Sequence, residues 1–318
     1  MRELVVISGK GGTGKTSVVA SLAACAGHVV TADCDVDAAD LHLLLQPKIE
    51  RSASFSGGRR ASIRPELCIG CGTCNELCRY GAVLPVGAAK PAPGPADPGW
   101  ASTGQGSHPV YAIDKIACEG CGVCAYFCPS GAVAFEEEEN GLWYVSTTRF
   151  GPMVHARLHA GSENSGKLVT LVRNEAKRIA GEQGIDLVLI DGSPGIGCPV
   201  IASITGAGFV LIVTEPTMSA LHDMERVVGL SQHFGIQAMV AINKYDINEE
   251  VSSSIENMAA REGLTVAGRI AYDSVVTEAQ MEGKSVVEAN GGRVAEEMEN
   301  LWDFIQISMK REEERHGA

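Results

Sequence analysis

Eight cysteines stand in two runs of one spacing, Cys68, Cys71, Cys74 and Cys78, then Cys118, Cys121, Cys124 and Cys128. Each run reads C-x2-C-x2-C-x3-C, and Pro129 follows the second. Thiolates are soft ligands, and three in one tight run can wrap the irons of a [4Fe–4S] cube, each of which takes one sulfur. A second chemistry lies near the N-terminus. Gly9-Lys10-Gly11-Gly12-Thr13-Gly14-Lys15-Thr16 satisfies G-x4-G-K-[ST]. Such glycines let backbone N–H groups close around phosphate oxygens, with Lys15 on the β- and γ-phosphates and the Thr16 hydroxyl on Mg2+. One chain therefore carries residues for phosphate chemistry and for redox chemistry.

These residues need elements to hold them. Leu4–Ile7 is a short apolar run rich in β-branched residues and reads as a buried strand; Gly9–Thr16 reads as a turn and Ser17–Ala26 as the helix behind it. Val29–Thr31 reads as a second strand that ends at Asp33. Beyond residue 146 the alternation resumes, with strands over 187–190, 209–214, 238–242 and 265–270. Helices over 199–205, 221–234 and 249–262 separate them, and a last helix covers 294–314. This pattern predicts an α/β fold, a P-loop NTPase whose mostly parallel sheet is covered by helices.

From about Ser52 the composition turns to Ser, Gly and Arg, which reads as a linker. The cysteine runs form an internal repeat: Cys68–Val83 and Cys118–Val133 align without gaps, and both close on Gly-Ala-Val. Pro85–Pro109 reads as a flexible connector and the acidic run Glu136–Glu139 as a solvated loop. The expected organisation is a discontinuous P-loop domain, residues 1–60 and 146–318. Inserted in it is a small α+β unit, 61–145, with its Pro/Gly-rich connector at 85–109.

With 318 residues the chain can bury one large core and a small second one. Its net charge of −13 argues against a nucleic-acid partner, which calls for a basic surface. No apolar run reaches the ~18–20 residues of a membrane span, so no membrane insertion is expected. Leu4-Val5-Val6-Ile7 begins the fold with no leader before it. Together with metal-type cysteine spacing, this points to a reducing, cytoplasmic setting.

Lys10 sharpens the phosphate loop. GKGGTGKT resembles the deviant loop of the MinD, Mrp and nitrogenase iron-protein group of ATPases. The resemblance implies ATP and Mg2+ as ligands, bound through Gly9 to Thr16 and Ser17. It also implies a nucleotide-dependent homodimer, or a heterodimer with a related ATPase, in which Lys10 reaches the partner's phosphates and stabilises charge in trans. Three more segments match that group. Asp33-Cys34-Asp35-Val36-Asp37 resembles its first switch, which puts orientation of the attacking water on Asp35 and leaves Asp33 to second-shell Mg2+ contact or helix capping. Leu189-Ile190-Asp191-Gly192-Ser193-Pro194-Gly195 resembles its second switch, with Asp191 bound to Mg2+ through water. Asn243-Lys244-Tyr245-Asp246 resembles the base-reading segment, with Asn243 on adenine. The same string also fits the guanine-reading N-K-x-D, and the family match favours ATP.

The cysteine runs resemble a bacterial two-cluster ferredoxin, in which the fourth thiolate of each run serves the other cube. By that pattern Cys68, Cys71, Cys74 and Cys128 hold one cluster, and Cys118, Cys121, Cys124 and Cys78 the other. Structural zinc is the competing reading, though its ligands usually come as separated C-x2-C pairs. Arg79 stands where such runs usually carry proline. Cys25 reads as a core residue, Cys34 lies in the first switch, and Cys198 reads as a buried small residue at a helix start. The combined expectation is an ATP-hydrolysing protein with two [4Fe–4S] clusters, acting as a nucleotide-gated electron carrier towards a redox or iron–sulfur acceptor protein. The alternatives are a cluster-assembly ATPase and, ranked last, a MinD-like positioning ATPase.

Overall fold

The structure is a computed structural model that describes residues 1–89, 108–159 and 165–316. The chain divides into two compact units. The first comprises Met1–Ala53, Leu142–Leu158 and Ser165–Ala318, and the second is built on Ser54–Gly141.

In chain order the strands are β1 (Arg2–Ser8), β2 (Val30–Asp33), β3 (Lys48–Phe55), β4 (Gly58–Ile63), β5 (Val83–Ala89), β6 (His108–Ile113) and β7 (Val133–Glu138). They continue as β8 (Gly141–Thr148), β9 (Gly151–Leu158), β10 (Leu187–Pro194), β11 (Phe209–Thr214), β12 (Gln237–Asn243) and β13 (Thr265–Ile270). One sheet of nine strands has the order β13-β12-β11-β1-β10-β2-β9-β8-β3. From β13 through β9 every pairing is parallel. Parallel strands need crossovers, and helices supply them on both faces. The central strands are therefore apolar throughout: Leu4, Val5, Val6 and Ile7 of β1 are fully buried, as are Val210 to Val213 of β11.

The helix Ser165–Gln183 was absent from the sequence reading. Its anchor is ionic: Arg173 Nε and Nη2 lie 2.9 and 3.0 Å from the two oxygens of Glu3, a bidentate pair with both residues buried. The last helix, Gly292–His316, turns Leu301, Trp302 and Ile305 into the core, as its apolar stripe predicts.

Three local expectations need correction. The Ser/Gly/Arg stretch is no linker, because it forms β3 and β4, and the expected boundaries at 60 and 146 fall inside β4 and β8. The Glu136–Glu139 run is mostly strand. It forms the end of β7, antiparallel to β4, where Arg60 and Arg64 neutralise Glu138 at 2.8 Å and Glu136 at 3.2 Å. Opposite charges across two strands let such a run pair. The connector is shorter than it reads, since Val83–Ala89 and His108–Ile113 pair as an antiparallel ribbon with a bulge after Pro85, which cannot donate to a ladder. Its remainder lies outside the described residues.

Candidate nucleotide site and cysteine cavities

Strand β1 delivers Ser8 to the carboxyl edge of the sheet, where parallel strands open onto their ligands. The following residues coil into a loop because Gly12 and Gly14 take φ of 82° and 87°, left-handed values that side chains resist. Gly14 caps the helix Lys15–Ala26, so the unpaired N–H groups of its first turn face the loop. A Cβ on Gly14 would lie 2.2 Å from Asn243 Nδ2, so the position has no room for one.

Lys15 is only 6% exposed and forms ion pairs with Asp191 Oδ1 and, at 3.4 Å, with Asp35 Oδ2. Burial opposes its charge, but the carboxylates of Asp191, Asp35 and Asp33 outweigh burial and hold the ammonium above its ordinary pKa. Burial pushes Asp35 up to about 6 in spite of Lys15. Burial, reinforced by the charge on Asp191, lifts fully buried Asp33 well above the carboxylate range. Asp33 is committed to the backbone: it accepts from the N–H groups of Asp35 at 3.1 Å and Leu41 at 3.2 Å. It holds the start of the helix Leu41–Leu45 and shapes the loop that carries Asp35.

Two buried oxygens of this region, Thr13 Oγ1 and Asp191 Oδ2, have no protein partner. A buried acceptor left unpaired costs free energy unless a ligand completes it. A Mg2+-bound water opposite Asp191 and phosphate oxygens over Gly9–Thr16 fit this donor set, with Thr16 one residue along the helix from Lys15. Ser17 is already engaged, its Oγ accepting from Gln280 Nε2 at 2.6 Å.

Asn243 closes β12 and is 9% exposed. Its Nδ2 donates to the Thr13 carbonyl at 2.7 Å and its Oδ1 accepts from the Lys244 N–H at 3.1 Å. The residue predicted to read the base thus first braces the phosphate loop. In the same segment Asp246 Oδ1 accepts from the Tyr272 N–H at 2.8 Å. Lys10 folds back on its own chain, with Nζ 2.8 Å from Glu215 Oε1, 3.0 Å from Thr217 Oγ1 and 3.1 Å from Ser219 Oγ. Lys244 Nζ binds the other Glu215 oxygen at 3.0 Å and donates to the Gly12 carbonyl at 3.2 Å. Sequence reasoning passed over Glu215 and Lys244 as contacts of the loop. The available signal was position, since each follows the carboxyl end of a central parallel strand.

In the second unit the repeats fold into two small cavities. One is lined by Cys68, Cys71, Cys74 and Cys128. The other is lined by Cys78, Cys118, Cys121 and Cys124. Each cavity takes three cysteines from one run and the fourth from the other. All eight are free thiols. Gly72 and Gly122 turn the chain between ligand positions with φ of 78° and 74°, and a Cβ there would lie 3.1 Å from Tyr111 Oη and Phe135 Cε1 respectively. Among the described residues no group of three or more His, Cys, Asp or Glu converges as one metal ion requires. A four-iron cube asks for something different, one sulfur on each of four irons around a cavity, and these two linings match that demand. Cys34 is buried in the first unit, where burial, then the Asp33 charge, raises its thiol pKa out of the reactive range. Cys198, expected to be buried, is exposed, because it opens the helix Cys198–Ile204.

A family model of the CobQ/CobB/MinD/ParA nucleotide-binding domain matches residues 4–286. Uncharacterized protein MJ0578 of Methanocaldococcus jannaschii is 30% identical over 249 residues, 77% of this chain and 79% of the relative. Among solved structures, the cell division ATPase MinD of Pyrococcus furiosus aligns over 96% of this chain and 98% of its own, with TM-score 0.53 and 17% identity. The septum site-determining protein MinD of Pyrococcus horikoshii OT3, solved with Mg-ADP, aligns over 96% and 95% with TM-score 0.52 and 16% identity. At such identities the likeness is one of fold.

Proposed function

The chain belongs to the CobQ/CobB/MinD/ParA nucleotide-binding family as a P-loop ATPase; from that premise we propose that it hydrolyses ATP to time electron transfer through two [4Fe–4S] clusters. One observation carries the reading. Two cavities, each lined by four cysteines in the interlocked sets, share a polypeptide with a phosphate loop whose lysine sits among carboxylates. Bound, the clusters supply one-electron chemistry; the eight cysteines hold them and the surrounding apolar side chains shield them.

In the nucleotide site Lys15 trades its carboxylate partners for the β- and γ-phosphates. Asp191, through its unpartnered oxygen, and Thr16, through its hydroxyl, would hold Mg2+ and its water. Asp35 orients the attacking water. Lys10 leaves Glu215 to stabilise phosphate charge across a dimer of this chain, or of this chain with a related ATPase. Asn243 would contact the adenine.

The test is anaerobic purification with iron quantitation and EPR, with and without ATP, on the wild type and Lys15→Ala. About eight irons per chain, four for each cube, with spectra or potentials that shift with ATP only in the wild type, are expected. Iron far below that value refutes the ligand assignment. Clusters that ignore ATP but pass to an apo-acceptor refute gating in favour of assembly.

A MinD-like positioning ATPase is the second reading, and the names of the solved neighbours favour it over the last place it takes from sequence alone. Against a membrane-docking version of it, the apolar face of the last helix is spent on the core through Leu301, Trp302 and Ile305. No described helix is long and apolar enough to cross a membrane.

A further inference from the structure

We infer that the two cysteine cavities hold clusters of unequal reduction potential, the Cys68/Cys71/Cys74/Cys128 cluster being the higher, because hydroxyl groups gather around its sulfurs. The inference rests on the cluster reading proposed above and adds an internal direction to it.

The repeat makes the comparison position by position. Residue n of the first half corresponds to n + 50 in the second, as Cys68 does to Cys118 and Cys78 to Cys128. The two linings obey that correspondence: Ile63 with Tyr111 in the first cavity, Ile113 with Ala61 in the second. Against this near-symmetry three positions differ in the hydroxyl they offer, and a fourth has Ile69 in the first cavity where the second has Glu119. Thr73 lines the first cavity where Val123 lines the second, Tyr111 where Ala61 does, and Ser130 where Tyr80 does.

The hydroxyls are within reach of sulfur. Thr73 Oγ1 lies 3.5 Å from Cys71 Sγ and Ser130 Oγ lies 3.7 Å from Cys128 Sγ. The Tyr111 hydroxyl packs on the Gly72 turn, 3.1 Å from where a Cβ would stand, between Cys71 and Thr73. A ligating thiolate has no proton, so in these contacts the hydroxyl donates. Donation to sulfur draws charge from the cube and favours the reduced, more negative state over the oxidised one, which raises its potential.

The second cavity has hydrocarbon at two of these positions. At the third, Tyr80 is 53% exposed, and its hydroxyl bonds to no cysteine among the described residues. The Glu119 carboxylate at its rim disfavours added negative charge, but it is exposed and screened. Arg79, beside Cys78, acts in the opposite sense, but it is exposed and screened. The balance leaves the second cluster lower. With both clusters bound, an electron entering the second would pass to the first, one cube losing the electron that the other gains, with no proton or further reagent.

The test is a dithionite reductive titration, followed by EPR, of full-length protein loaded anaerobically and free of nucleotide. Two one-electron waves are expected. Ser130→Ala and Thr73→Val should each move only the upper wave, to lower potential, with iron content unchanged. Val123→Thr should raise only the lower wave, by a hydroxyl placed where the other repeat has one. Coincident waves in the loaded wild type overturn the inference. So does movement of the lower wave, or of neither, in Ser130→Ala and Thr73→Val. A chain that takes up no iron fails at the earlier step and refutes the cluster reading as well, so iron content separates the two failures.

Discussion

Lys10 and Lys244 share one carboxylate, with the two oxygens of Glu215 lying 2.8 Å from the first ammonium and 3.0 Å from the second. Burial disfavours the charge on Glu215, but the two lysines together hold its pKa below the ordinary value. The arrangement parks Lys10 on its own chain while Lys244 ties the same group to the phosphate loop through the Gly12 carbonyl.

Glu215→Gln therefore removes the charge that retains Lys10. A half-shielded pair of this kind is worth about 1 kcal/mol, or about fivefold in an equilibrium. If Lys10 acts across a dimer, the variant raises the fraction of dimer at a fixed concentration of a non-hydrolysable ATP analogue by that order, and Lys10→Ala abolishes it. Sedimentation velocity reads both. An unchanged or lowered dimer fraction in Glu215→Gln would refute retention.

Lys15→Ala has two separable consequences. Nucleotide affinity, read by calorimetry, falls below detection because the phosphates lose their buried cation. Folding stability falls as well, by roughly 3 kcal/mol, because Asp191 and Asp35 lose the partner that offsets their burial. Urea denaturation without nucleotide measures the second effect. No loss of stability would mean that the carboxylates take up protons at no cost.

His155 makes stability depend on pH. Burial, with a lesser contribution from His42, lowers its pKa from 6.5 to about 4. Its ring stacks on Tyr144 at 4.9 Å and meets the Ser146 hydroxyl at 3.0 Å. Between these two pKa values the unfolded chain binds the proton and the folded one does not. The neutral ring's contribution is therefore present above about pH 6.5 and lost as pH falls towards 4, by about 3 kcal/mol in all. Asp35, pushed up to about 6, acts with the opposite sign over the same window. The difference between wild type and His155→Gln isolates the histidine: the variant should lose less stability on acidification. Parallel urea midpoints from pH 7 to pH 4 would contradict the assignment.

Iron removal should act on one unit alone. The buried core of the second unit consists of Ala61, Cys74, Val83 and Val133, with four further cysteines of the two runs and Tyr111 packed around it. So small a core stabilises little without metal, whereas the first unit buries a full nine-stranded sheet. Chelation should therefore speed hydrogen exchange across β4 to β7 and leave β1, β10 and β11 protected and ATP binding intact. Uniform protection after chelation would show that the cysteine unit stands without clusters.

Much of this protein was legible in one dimension. The central strands and their helices were readable because each buried strand is a continuous apolar run and each crossover helix a periodic one. Phe209–Thr214 and Thr265–Ile270 coincide with β11 and β13 to the residue. The phosphate loop and the cysteine runs were readable because their chemistry depends on spacing along a single segment. Tertiary structure decided what spacing does not encode. β3 and β8 mix polar and apolar residues, and pairing partners settle their state, whereas the helix Ser165–Gln183 carries a buried stripe at helical spacing, Leu168, Val172, Ala176 and Ile179, and was as legible as the others. Glu136–Glu138 pairs as a strand with β4, and Arg59, Arg60 and Arg64 offset its charge. The bracing of the loop by Asn243, the parking of Lys10 on Glu215 and the gathering of hydroxyls at one cavity join residues tens to hundreds of positions apart. Such contacts exist only once parallel strands and repeated turns have brought distant side chains together.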